Sequence, residues 1–152
     1  MSRRVFVAAG LLAIASCGGG NMPSPSPSPT AAPPPAPVVQ APPKAVERAT
    51  ITVKSTGFVL DQTTAAFFSL SDLHIYQGGT LTFVNDDFQP HDIMSDPFHI
   101  HTDCPAINVV GFLVPGQSRS TEALTQVRSC GFHDHDHEGN PAYHGTAVVE
   151  PR

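Results

Sequence analysis

The placement of proline is the strongest constraint on how this chain can fold. Of the 16 prolines in the 152 residues, ten lie between positions 23 and 43. Proline lacks a backbone N–H and fixes φ, so this stretch cannot form a helix interior or a central strand. The folded domain is therefore expected over residues 49–152, roughly 100 residues, which is enough for one modest core.

The first residues predict a secretion signal. Arg3 and Arg4 precede an apolar run over residues 5–15, which is shorter than the roughly 20 residues of a membrane-spanning helix. This layout predicts a secretory signal peptide over residues 1–16. The run ends at Cys17 in a sequence that resembles the lipobox of bacterial lipoproteins, which implies lipidation of Cys17. The alternative is an ordinary cleaved signal followed by a chance cysteine.

Residues 17–48 are predicted to form a tether between a lipid bilayer and the domain. They are rich in Pro, Ser and Ala, a composition that favours extended polyproline II, and about 30 such residues reach up to roughly 90 Å. Gly18 stands where an Asp would resemble an inner-membrane retention signal. We therefore expect a lipid-anchored protein of the outer membrane and periplasm, or of the cell surface.

The charge of the domain excludes one class of partner. From residue 49 onward there are four Lys and Arg against twelve Asp and Glu, a net charge of −8. Phosphate backbones repel such a surface, so no nucleic-acid partner is expected.

Short period-two stretches separated by turns predict an all-β domain. Residues 50–54 and 81–85 alternate apolar and polar side chains, residues 77–80 are expected to be a turn, and residues 145–149 form the last predicted strand. No helical period is sustained over three turns. The pattern predicts an antiparallel β-sandwich of about seven to eight strands.

The residues that carry chemistry follow this frame in a definite order. Seven of the eight histidines lie after position 90, together with Cys104 and Cys130. His91 follows a polar turn and Pro90, and Cys130 and His133 have Cys-x-x-His spacing at the end of a later strand. A Pro-Gly turn precedes that strand, and a final strand follows it. This order resembles the cupredoxin family, the small blue-copper sandwiches.

The resemblance implies a Greek-key sandwich that binds copper and transfers single electrons to a redox partner protein, without enzymatic activity. It implies His91, Cys130 and His133 as metal ligands, since a thiolate and two imidazoles favour copper. His135 is a further imidazole ligand of the predicted site. Additional candidates are His101, Tyr143 and His144. Asp92, next to His91, is expected to raise the basicity of that imidazole without binding the metal itself.

The sequence also departs from the family pattern. Methionine occurs only at positions 1, 22 and 94, so the axial Met is missing, and Tyr143 stands at its position. Imidazoles and carboxylates alternate over residues 133–138. This donor set indicates a harder site than a blue one: a red copper centre, a type 2 copper centre or a zinc site.

A second hypothesis pairs Cys104 with Cys130 in a disulfide, as expected for two cysteines in an oxidising compartment. The thiolate would then be lost, leaving an all-His site drawn from His91, His101, His133 and His135, in a non-redox, copper-handling lipoprotein. Otherwise Cys104 is a free, buried thiol or an extra ligand beside the site. A His-x-His pair at positions 99 and 101 faintly resembles copper–zinc superoxide dismutases, which leaves dismutase activity as the enzymatic alternative.

Overall fold

The computed structural model describes residues 44–65 and 68–152. The predicted signal peptide, Cys17 and nearly all of the predicted tether lie outside the described residues. No helix in the described part is long and apolar enough to cross a membrane. The eight strands are β1 (Val46–Lys54), β2 (Gly57–Leu60), β3 (Leu73–Asn85), β4 (His91–Ser95), β5 (Gly111–Leu113), β6 (Ser118–Ser120), β7 (Ser129–Asp134) and β8 (His144–Glu150).

Helical structure is limited to short connections in this part of the chain. A four-residue helix, α1 (Gln62–Ala65), follows β2. Single 3-10 turns lie at Pro105–Ile107, His135–His137 and Pro141–Tyr143. Asp134 begins the second of these turns, because its side chain accepts a hydrogen bond from the N–H of Asp136.

The strands form one sheet that folds over into two layers. Its order is β2-β1-β3-β8-β7-β4-β5, with β6 paired to β3. In β3, residues 73–76 pair with β8 and residues 82–84 pair with β6. β1 pairs with residues 80–85 and, beyond a register shift, with Ile75. The predicted all-β sandwich is confirmed. The β1–β3 and β3–β8 pairings are parallel, so the sheet is mixed rather than wholly antiparallel.

The pairing of β3 with β1 is irregular at the two glycines of β3, where the register shifts between Val46 and Arg48. Residues 77–80 are part of the strand, so the predicted turn there is wrong. Gly78 has a φ of +88°, which favours glycine. A Cβ on Gly79 would lie 2.6 Å from the carbonyl oxygen of Glu47 and from the side chain of Ile75. The two glycines therefore allow β3 to continue through this irregularity as one strand.

Aromatic side chains fill the space between the layers. Phe83 of β3 and Phe132 of β7 are fully buried and pack edge to face with ring centroids 5.4 Å apart. Phe58 contacts both rings and also Tyr143. This contact fixes β7 against the opposite layer, and β7 carries the polar groups described next.

Candidate metal centre

Within residues 44–65 and 68–152, two groups of side chains each bring three potential metal donors together. The core-face cluster consists of His91, Asp134 and His137, and the outer-face cluster consists of His101, His133 and His135. Within each cluster the three donor atoms lie within 4.8 Å of one another. The predicted ligands His91 and His133 therefore belong to different clusters.

Strand register explains why His91 and His133 are separated. On β4 the side chains of His91, Ile93 and Ser95 are buried between the layers. Ile93 lies opposite Asp134, and Met94 lies opposite His133. Because successive side chains of a strand point to opposite faces, Asp134 shares the face of His91 and His133 does not. The predicted convergence of His91 with His133 is wrong for this reason.

The core-face cluster is centred on the carboxylate of Asp134. Its Oδ2 lies 2.6 Å from Nδ1 of His91 and 2.6 Å from Nδ1 of His137. Its Oδ1 accepts hydrogen bonds from the backbone N–H groups of Asp92, at 3.1 Å, and Asp136, at 3.3 Å. His91 and Asp134 are fully buried, and the side chain of His137 is 34% exposed. The carboxylate is thus held from both sides, and His137 is the partly exposed member of the cluster.

Tyr143 packs on this cluster without offering it a ligand. Its ring stacks on those of His137, at 4.5 Å, and His91, at 5.7 Å. Its hydroxyl points elsewhere and donates to the carbonyl oxygen of Lys54, at 2.9 Å. Burial, followed by the nearby carboxylates of Asp87 and Asp134, raises the pKa of Tyr143, which keeps the phenol protonated. The prediction of Tyr143 as a ligand is therefore corrected to a packing role.

The outer-face cluster lies beneath residues 96–110, which connect β4 to β5. His133 is fully buried although it is on the outward face of β7, because this connection covers it. Ring centroids of His101 lie 5.3 Å from His133 and 5.1 Å from His135. The connection thus supplies one imidazole, and β7 with the turn after it supplies two.

Two other predicted residues contact the clusters from outside. Asp92 does not support the ring of His91. That ring instead has Oδ2 of Asp87 3.1 Å from its Nε2. The pKa of Asp92 is raised, mainly by burial. Because Asp92 alternates with His91 on β4, its side chain lies on the outward face of the strand, the face of Met94 and His133. Nε2 of His144 lies 2.7 Å from the carbonyl oxygen of Glu138, and its ring stacks on His133.

The cysteines form a disulfide. Cys104 and Cys130 are bonded, with Cα atoms 5.5 Å apart, so Cys130 offers no thiolate and Cys104 is not a free thiol beside a metal. Distance also argues against Cys130 as a ligand. Since Ile93 lies opposite Asp134, His91 is about six residues, or roughly 20 Å, from Cys130 along the strands. The predicted set of His91, Cys130 and His133 is therefore corrected.

The sequence reasoning missed Asp134, His137, Asp87 and Asp96. The sequence contained a signal for the first two. Asp134 and His137 are three positions apart, as Cys130 and His133 are, so a donor-x-x-His pattern occurs twice, four residues apart. The sequence analysis assigned the ligand pair to Cys130 and His133 instead. Asp87 and Asp96 carry no comparable signal, because only the fold brings them to His91 and His133.

Comparisons with known proteins give structural neighbours only. No family model and no curated protein matches the chain. A purple cupredoxin from Nitrosopumilus maritimus has 23% identity and a TM-score of 0.44, covering 67% of this chain and 99% of its own. Plastocyanin from Dryopteris crassirhizoma has 16% identity and a TM-score of 0.46, covering 67% of this chain and 100% of its own. A reduced amicyanin variant has 17% identity and a TM-score of 0.44, covering 70% of this chain and 82% of its own.

Proposed function

We propose that the domain binds copper at the core-face cluster and carries single electrons. The observation that supports this proposal is the convergence of two imidazoles on one buried carboxylate oxygen, at 2.6 Å each. The three donors come from β4, from the end of β7 and from the turn after it. The resemblance implied a similar combination, namely one imidazole from a strand opened by Pro90 and a donor-x-x-His pair later in the chain.

The donor set fits a harder metal site than a blue one. Imidazole suits copper and zinc, and carboxylate is harder than thiolate. A buried carboxylate is costly unless it is paired or bound to a metal. Asp134 is fully buried and is paired with both rings, so a divalent cation bound between these three groups would replace those pairings and keep the carboxylate compensated. We therefore propose a type 2 copper centre, with zinc as the competing ion.

The surrounding residues position the donors. Asp87 lies 3.1 Å from Nε2 of His91, an arrangement that orients a ligating ring and raises its basicity. Tyr143 stacks on both imidazoles and limits their rotation. Copper bound here would supply a one-electron couple. His137 is the partly exposed member of the cluster, at 34%, whereas His91 and Asp134 are fully buried, so we propose that the redox partner protein approaches at His137.

The anchor is a separate part of the proposal. Cys17 would carry the acyl chains, residues 18–48 would act as the tether, and the domain would work near an outer membrane or cell surface. The support is the sequence pattern alone: the charged start, the short apolar run and the cysteine at its end. Expression of the full chain and of Cys17→Ser with a labelled fatty acid tests it. Label in the parent chain and not in the variant supports the anchor, and equal absence of label contradicts it.

Copper titration tests the proposed centre. We compare the parent domain, His137→Gln and His144→Gln by equilibrium binding and by electron paramagnetic resonance. His137 is partly exposed, so its replacement leaves the core intact, and His144 is a histidine in neither cluster. Loss of a ligand should weaken copper binding at this site by more than the roughly 10–100-fold that supporting residues contribute. His144→Gln should keep the parent signal.

The same titration can overturn the proposal. An unchanged affinity and an unchanged spectrum in His137→Gln would show that copper does not use this cluster. Voltammetry of the loaded parent protein tests the electron-carrier part. A reversible one-electron wave supports it, whereas tight copper binding with no reversible wave would leave metal binding and reject electron transfer.

A further inference from the structure

The outer-face cluster contains two buried nitrogen atoms that no group in the described residues satisfies. Nε2 of His133 and Nδ1 of His135 are inaccessible to solvent and have no hydrogen-bond partner. His133 itself is fully buried. A buried polar atom left without a partner costs about 1–3 kcal/mol. Two such atoms on neighbouring rings, both close to a third imidazole, indicate that something absent from the chain completes them.

In His133 and His101, a hydrogen bond at Nδ1 determines which ring nitrogen is free. Nδ1 of His133 lies 2.6 Å from Oδ1 of Asp96, and Nδ1 of His101 lies 2.9 Å from the carbonyl oxygen of Ser95. Carboxylate and carbonyl oxygens accept, so both Nδ1 atoms carry the proton and donate. Both Nε2 atoms then present lone pairs. A lone pair on His101 cannot satisfy the lone pair on His133, so these two rings cannot complete each other.

We infer that His101, His133 and His135 form a second metal site, separate from the core-face cluster and selective for a late divalent cation such as Zn²⁺. The three donor atoms lie within 4.8 Å of one another, as ligands of one ion must. Three neutral imidazoles with one remaining position suit tetrahedral zinc. An imidazole backed by a carboxylate is a common arrangement at zinc, because the carboxylate fixes the tautomer and raises ligand basicity.

The local backbone is built to bring these groups together. His101 has a φ of +55°, a conformation that is uncommon for a non-glycine residue. Nδ2 of Asn108 donates to the carbonyl oxygen of His101, at 2.8 Å, which supports that conformation. Gly131 faces the carboxylate of Asp96, and a Cβ at this position would collide with it. The glycine therefore allows Asp96 to reach His133.

The test uses a pair of variants from the same connection. His101→Asn removes one proposed ligand. His99→Asn is its matched control, because His99 also has a positive φ, of +68°, and lies outside the cluster. Asparagine tolerates this backbone conformation. The metal-free domain, its two variants and His137→Gln are titrated with Zn²⁺ and with Co²⁺, whose visible spectrum reports tetrahedral coordination.

Each outcome supports or overturns the inference. The expected result is a tetrahedral cobalt spectrum that persists in His99→Asn and His137→Gln and is lost in His101→Asn, with zinc affinity lowered there by more than about 100-fold. A spectrum unchanged in His101→Asn would overturn the second site and leave the copper proposal intact. The two proposals can also fail separately. If the cobalt spectrum is lost in His101→Asn while copper affinity is the same in His137→Gln and the parent, the second site is retained and the first is rejected.

Discussion

At the scale of single residues, two adjacent positions on β7 belong to different clusters. His133 and Asp134 are neighbours in the chain, yet alternation sends their side chains to opposite faces of the sheet. His133 contacts His101 and Asp96, whereas Asp134 contacts His91 and His137. A metal site assembled from this strand must therefore use one of the two residues, not both.

Asp96 is predicted to tune the outer-face site without touching the ion. Asp96→Asn removes the charge behind His133 while keeping an acceptor of similar size. We expect zinc affinity to fall by about 10–100-fold, the usual effect of such supporting groups. Asp103→Asn is the control, because Asp103 is half-exposed and pairs with Arg128 at 3.6 Å, away from the imidazoles. Equal zinc affinity in both variants would contradict the supporting role of Asp96.

His74 gives a residue-scale prediction about pH and stability. Burial lowers the pKa of His74, but its hydrogen bonds and the charges of Glu150 and Asp72 outweigh this effect, so the pKa is raised above 6.5. A raised pKa in the folded state stabilises the protein below the unfolded pKa, and this contribution disappears as pH rises through the folded value. The ion pairs are partly exposed, so the contribution is small, about 0.2–1 kcal/mol.

Urea unfolding of the parent domain and His74→Gln at two pH values checks this. The variant should be less stable than the parent at about pH 5.5, where His74 is charged, and should match it at about pH 8.5. A difference that is larger at the higher pH would contradict the assigned direction.

At the scale of elements, the disulfide joins the connection between β4 and β5 to the start of β7. The bond links residues 26 apart, and closing a loop of this length stabilises a protein by about 3 kcal/mol. The double variant Cys104→Ser/Cys130→Ser should lose about that much stability in urea unfolding. Its copper affinity at the core-face cluster should be unchanged, because no sulfur is a ligand there. A copper affinity reduced as strongly as in His137→Gln would contradict this separation of roles.

The strand pattern could be predicted from the sequence, whereas the pairing of donors could not. The alternating stretches indicate the sandwich because burial follows period two. A site depends on register, and a shift of one residue changes which face each side chain occupies. The sequence shows that His91 and His133 lie on strands but not which residue is opposite Met94. Gly78 and Gly79 led to the prediction of a turn, whereas the structure has an irregular strand there. Glycine is common in both kinds of structure, so the sequence does not distinguish them.

At the scale of the whole domain, the two clusters lie on opposite faces of the same strands. The core-face cluster lies between the layers, and the outer-face cluster lies beneath a connection. Phe83 and Phe132 pack between the layers, and the core-face cluster lies on the β4 and β7 side of that packing. Residues 96–110 cover the opposite face of the same strands. The net charge of −8 from residue 49 onward raises the local concentration of cations around both sites.

X-ray absorption spectroscopy of the copper-loaded domain tests the central claim most directly, because it identifies the atoms bonded to the metal. The protein is loaded with one equivalent of copper after the outer-face site has been filled with zinc. Coordination through Asp134 and the two imidazoles predicts only nitrogen and oxygen bonded to copper, with the multiple scattering that imidazole rings produce. A sulfur atom at bonding distance from the copper would contradict the account.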